Sequence, residues 1–263
     1  MRPRDERPPI LDHPVEEESV FTAEALMADV RRLRNVPAGG LPEICVLEFD
    51  GDLTDWLVER GIASRCESWA CFHTTMFVLD LDGVRCGIIA RTIGGAYAVL
   101  IAEQLKAAGV KWIVGLTSAG RVANSLPLPA LVVATNAVRD EGTSYHYLSP
   151  DAEASCRSEV AAAVARELPG TGMPVVSGKV WTTDAPYRET QTQLERWARE
   201  EVLAVEMQAA SLFAFGQARD IPVAVVAVVS NAVDHAGEQF DTGSQEQGLK
   251  ILAAIARASG AII

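Results

Sequence analysis

The decapeptide PVAVVAVVSN (222–231) restricts the fold more than any other stretch of the chain. Seven of its ten residues are Val or Ala, and polar and apolar positions do not alternate. A strand with one face in water alternates, whereas an unbroken apolar run fits a strand buried on both faces. Such a strand needs helices above and below its sheet. The chain supplies candidates at 21–34 (FTAEALMADVRRLR), 53–61 (LTDWLVERG), 96–109 (AYAVLIAEQLKAAG), about 151–168, 189–201, 209–221 (AASLFAFGQARDI) and 245–258. Between them lie strand-like segments: CVLEF (45–49), KWIVGLTSAG (111–120), ALVVATNAV (130–138), a stretch near 174–181, and LAVEM (203–207). TMFVLDLD (75–82) and the segment 84–91 flank Asp82-Gly83, the strongest hairpin signal in the chain. Alternating strands and helices predict one α/β domain with a mixed, mostly parallel sheet that is closed or strongly twisted. Residues 1–40 read as a Pro-rich charged arm plus a helix, and 41–263 as the single domain.

The charge balance narrows the partners. With 23 Lys+Arg against 35 Asp+Glu, the net charge is −12. That argues against nucleic acid and anionic membranes, which want clustered cations. A small-molecule substrate is the expected partner. The start, MRPRDERPPILDHPVEEE, has no apolar core of a signal peptide, and no apolar run is long enough to span a bilayer. Cys45, Cys66, Cys71, Cys86 and Cys156 contain no CxxC pair, and the four histidines are scattered. These read as free thiols in a reducing cytoplasm, with no metal and no cofactor expected.

In open α/β folds ligands bind where strands end and helices begin. Four segments qualify. Thr92-Ile93-Gly94-Gly95 places a glycine turn at a helix start, where amides can face an anion or where the turn alone needs glycine. Thr117-Ser118-Ala119-Gly120 ends a strand with small hydroxyl residues. Glu206-Met207-Gln208 puts a carboxylate directly after LAV, which demands a partner; the helix dipole is one candidate and a ligand hydroxyl another. Ser230-Asn231 ends the most apolar strand and either holds a loop or faces a pocket.

AVRDEGTSYHYL (137–148), WTTDAPYRET (181–190), LAVEMQAASLFA (203–214) and VVSNAVD (228–234) together resemble the uridine phosphorylase and purine nucleoside phosphorylase superfamily, over roughly residues 45–258. The resemblance implies a three-layer α/β/α fold, a homodimer or larger homo-oligomer, and cleavage of an N-glycosidic bond. It implies Glu206, Gln208 and Asn231 as catalytic positions, with Met207 beneath the sugar. Thr117, Ser118, Gly94, Gly95, Tyr187 and Ser230 would bind substrate. His13 in the arm and His146 are candidates for reaching a neighbouring subunit's site, Asp184 for fixing the loop over the base, and His235 as a spare acid or base.

Departures from the family pattern carry their own message. Gln208 stands for a ribose-binding Glu and Asn231 for an acidic Asp. Gly115 replaces the phosphate Arg of an RxGSxG motif, and Phe49-Asp50-Gly51-Asp52 replaces GDPxR. Charge-assisted hydrogen bonds are roughly twice as strong as neutral ones, so losing two arginines weakens phosphate binding by several kcal/mol. Arg91, Arg121 and Arg139 are the available substitutes. Hydrolysis is therefore expected over phosphorolysis; a pocket turned to other chemistry on a small metabolite, and a non-catalytic binding protein, are the alternatives.

Overall fold

The computed structural model describes residues 8–12, 14–232 and 244–263. In chain order their elements are α1 (Ala23–Arg34), β1 (Ile44–Glu48), α2 (Asp52–Glu59), a two-residue β2 (Ser64–Arg65), β3 (Met76–Leu81), β4 (Val84–Ile89) and α3 (Gly95–Ala107). There follow β5 (Trp112–Arg121), β6 (Ala130–Asp140), a two-residue β7 (Ala154–Ser155), α4 (Ser158–Glu167), β8 (Val175–Thr183), α5 (Gln191–Arg199), β9 (Ala204–Glu206), α6 (Ala209–Ala218), β10 (Val223–Ala232) and α7 (Gln245–Ala258).

Local signals explain the boundaries. Thr22 caps α1 by accepting from the Ala25 amide, and Thr190 with Gln193 forms a capping box on α5. Asp82 and Gly83 both take positive φ in the two-residue turn of the β3–β4 hairpin, and the Asp80 carboxylate accepts from the Gly83 amide at 2.8 Å. One boundary differs from expectation. The helix foreseen from about 151 starts only at Ser158, because Ala154 and Ser155 pair with β6 and the Cys156 amide donates to the Thr135 carbonyl.

The sheet is mixed, and its two longest ladders, β10–β5 and β6–β8, are parallel. It runs β10-β6-β8-β9-β5-β1-β4-β3-β2, and β10 also pairs with β5, so five strands close on themselves. Helices cover both faces. On one side α1, α3 and α6 place Met27, Leu105 and Phe213 against Ile113 and Val225. On the other α2, α4 and α7 place Leu57, Val164 and Ile255 against Val114 and Val226. β10 thus buries alternate residues on opposite faces, which is why its sequence shows no polar stripe. The α3–α6 contact is close. A Cβ on Gly95 would lie 1.9 Å from Ser211 Oγ, so this glycine is required by helix packing.

Candidate active site

The chemistry-bearing loops gather at the C-terminal ends of β1, β5 and β9. Glu48 ends β1 in an apolar run, 5% exposed, and its carboxylate turns into the first turn of α2. There it accepts from the amides of Gly51 (3.1 Å), Leu53 (2.9 Å) and Thr54 (3.0 Å), and from the Thr54 hydroxyl. Burial pushes the Glu48 carboxyl up, and these four donors oppose that push. The anion-binding end of α2 is therefore filled by a side chain of the chain itself.

Next to it, the Ser118 hydroxyl donates to Asp50 Oδ1 at 3.0 Å. Burial, with the Asp52 charge adding to it, raises the Asp50 carboxyl. Glu48, Asp50, Asp52, Thr117, Ser118 and Ser230 share the walls of a cavity of about 290 Å³ that reaches the start of α7. On the other side of Ser118 lies a larger cavity of about 980 Å³. Ser118, Ala119 and Gly120 form one wall, Glu206 and Met207 another, and the 184–189 loop a third. Phe49 and Ile93 add apolar surface.

Glu206 is 3% exposed and committed to the fold. Its Oε2 accepts from the amides of Gln208 (2.7 Å) and Ala209 (2.8 Å) at the start of α6, and its Oε1 from the Thr182 hydroxyl. Burial pushes its carboxyl up to about 7, against those hydrogen bonds. Gln208 is fully buried, and among the described residues neither its Oε1 nor its Nε2 has a hydrogen-bond partner. Its Nε2 lies beside Gly115, 3.4 Å from where a Cβ at that glycine would stand. An unpaired buried amide costs about 1–3 kcal/mol, so Gln208→Met should leave the urea midpoint equal or higher. A clear fall would show that the amide is satisfied in solution.

The expected site residues therefore separate into groups. Glu206, Met207, Ser118 and Tyr187 meet at the larger cavity, and Thr117, Ser118 and Ser230 at the smaller one. Tyr187 is almost fully exposed at the mouth. Asn231 is buried beside Gly120 in the β10–β5 ladder and lines neither cavity, as is true of Gln208, Gly94 and Gly95. Asp184 accepts from the Gly142 amide at 2.8 Å and so ties the 184–189 loop to the turn after β6. His146 sits exposed in that turn, against which residues 9–11 of the arm pack. His13 and His235 fall outside the described residues.

The three arginines have other placements. Arg139 donates to the carbonyls of Leu148, Ser149 and Ala152 and to the Ser144 hydroxyl, holding a loop. Arg91 pairs with Asp55 on the surface, and Arg121 lines neither cavity. Among the described residues no group of three or more His, Cys, Asp or Glu side chains is arranged to hold a metal ion. No helix among them is long and apolar enough to cross a membrane.

A profile described as the phosphorylase superfamily matches residues 44–261, most of the chain. The protein belongs to the phosphorylase superfamily. Its fold is that of uridine phosphorylase from Vibrio fischeri, with a TM-score of 0.71 over 84% of this chain and 93% of the other, at 21% identity. A guanosine phosphorylase of Halorubrum lacusprofundi is 25% identical over 166 residues, 63% of this chain and 68% of the relative. An uncharacterized mimivirus protein, R802, is 28% identical over 152 residues, 58% of this chain and 59% of its own length.

Sequence reasoning gave no role to Glu48, Arg188 and Glu189, and met Asp50 only within the stretch that replaces GDPxR. Glu48 was legible by the argument applied to Glu206, a carboxylate closing an apolar strand that must find donors. Arg188 and Glu189 belong to a loop whose direction no local pattern sets.

Proposed function

We infer that this superfamily member cleaves the N-glycosidic bond of a nucleoside-type substrate with water as the nucleophile. One observation carries the reading: the anion-holding elements are taken by the chain's own carboxylates, Glu48 on the α2 amides and Asp50 on the Ser118 hydroxyl. A phosphate dianion there would meet like charge. At 4 Å, two unit charges interact by about 4 kcal/mol at an effective dielectric of 20. None of Arg91, Arg121 and Arg139 lines either cavity to offset it.

Water has no such penalty. Asp50, raised by burial and hydrogen-bonded to Ser118, is suited to take a proton from a water attacking C1′. The larger cavity has the volume for a nucleoside, with Met207 beneath the sugar and the 184–189 loop over the base. Glu206 acts as a positioning residue that sets the start of α6. Gln208 reaches the sugar hydroxyls only by turning away from Gly115, and Asn231 supports the wall behind Gly120. Similarity to a guanosine phosphorylase supports a nucleoside substrate and keeps phosphorolysis as the second reading. The exposed Tyr187 and Ile93 at the cavity mouth suit a second copy of the chain, with His13 or His146 as its contribution.

Purified protein incubated with purine and pyrimidine nucleosides, with and without phosphate, tests this by chromatography of free base. Base release at the same rate without phosphate is expected. Release that needs phosphate replaces hydrolysis by phosphorolysis, and no release from any nucleoside overturns the reading.

A further inference from the structure

Cleaving a nucleoside needs help at both ends of the breaking bond. The attacking water must lose a proton, and the leaving base must gain one unless it departs as a costly anion. Asp50 serves the first end. At the other end Asn231 has no proton to give up, and Glu206 is held by two amides and a hydroxyl.

The 184–189 loop brings a further carboxyl to the larger cavity. Glu189 lines it together with Met207 and Glu206, half-buried, with no hydrogen bond or ion pair to its side chain among the described residues. The loop is set from both sides. Asp184 is bound by the Gly142 amide, the Arg188 amide donates to the Ala185 carbonyl, and Thr190 caps α5 immediately after Glu189. Among the described residues, the charged groups facing this cavity besides Glu189 are Asp184 and Arg188 from the same loop and Glu206 from β9. The walls from β1, β4 and β5 bring only Phe49, Ile93, Ser118, Ala119 and Gly120. Among the described residues Arg188 is the one cation at this cavity, and no ion pair joins it to Glu189.

Resting on the hydrolytic reading above, we propose that Glu189 is the catalytic acid that hands its proton to a ring nitrogen of the departing base. The C1′–N bond breaks, its electron pair stays on the base, and the Glu189 carboxyl supplies the proton that neutralises it. The water oxygen bonds to C1′ and its proton passes to Asp50. Free base and free sugar leave, and exchange with solvent returns a proton to Glu189 and removes one from Asp50. Burial supports the role, since it pushes the Glu189 carboxyl up to about 7, where an acid still holds its proton near neutrality. Single-displacement hydrolysis of a glycosidic bond uses such a pair, a base for the water and an acid for the leaving group; here Asp50 lines the smaller cavity, Glu189 the larger one, and Ser118 both.

The test compares wild type with Glu189→Gln on a nucleoside and on 4-nitrophenyl β-riboside, whose leaving group departs without a proton. On the nucleoside, kcat should fall about 10²–10⁴-fold, and the decline of wild-type kcat as pH rises through about 7 should vanish. On the nitrophenyl riboside the variant should keep wild-type activity, which also reports an intact fold. Equal losses on both substrates, or an unchanged pH profile on the nucleoside, overturn the role of Glu189 and leave hydrolysis standing. Wild type inactive on every nucleoside overturns hydrolysis and this role with it.

Discussion

Asp50→Asn should abolish base release while leaving the protein folded, with kcat falling about 10²–10⁴-fold. The argument rests on what the amide keeps and what it loses. Asn still offers an oxygen to the Ser118 hydroxyl, so the contact at 3.0 Å and the turn before α2 survive. It cannot accept the proton of an attacking water. Asp50 also lines the smaller cavity beside two further acidic side chains, Glu48 and Asp52, so neutralising it reduces like-charge repulsion there. The urea midpoint should stay equal or rise. That split between activity and stability is the informative result, because a merely structural Asp50 would lower both. Activity near wild type would remove Asp50 from the mechanism, and a phosphate-dependent gain in the variant would point back to phosphorolysis.

Glu206→Ala is expected to produce the largest loss of stability, about 3–5 kcal/mol, seen as a fall in urea midpoint. Its carboxylate serves two amides at the start of α6 and the Thr182 hydroxyl on β8, and its side chain is buried. Alanine leaves those donors buried and unpaired, at about 1–3 kcal/mol each. Glu206→Gln keeps an acceptor and should cost less. The two also differ with pH. The folded-state pKa of Glu206 is raised to about 7 from an ordinary 4.5, so the native state binds the extra proton between these values. Stability from that proton is full below about 4.5 and is lost as pH rises through about 7. Wild type minus Glu206→Gln should show this decline, and a flat difference would mean the carboxylate is ionised throughout.

The two buried glutamates show how far the sequence reaches. Glu206 and Glu48 each end an apolar strand just before a helix, and that pattern already says that a carboxylate must meet helix amides. Local patterning likewise predicted the β3–β4 hairpin from Asp82-Gly83 and the doubly buried β10 from its Val-Ala run. The start of α4 was missed because Ala154 and Ser155 trade helical propensity for pairing with a strand some eighteen residues earlier in the chain.

Sequence alone thus determined the element order, the α/β class and the family, since these depend on side-chain periodicity and on motifs contiguous in the chain. It also flagged Glu206 and Ser118. Only the tertiary structure decided which polar residues share a space. Closure of β10 onto β5 sets Asn231 behind Gly120, and the absence of a side chain at Gly115 leaves room for Gln208 to turn inward. Ser118, paired with Asp50 across 68 residues of chain, lines both cavities. The reason is physical. A buried polar group is assigned its role by whichever donors and acceptors the packed elements bring within about 3 Å, and no local pattern contains that distance.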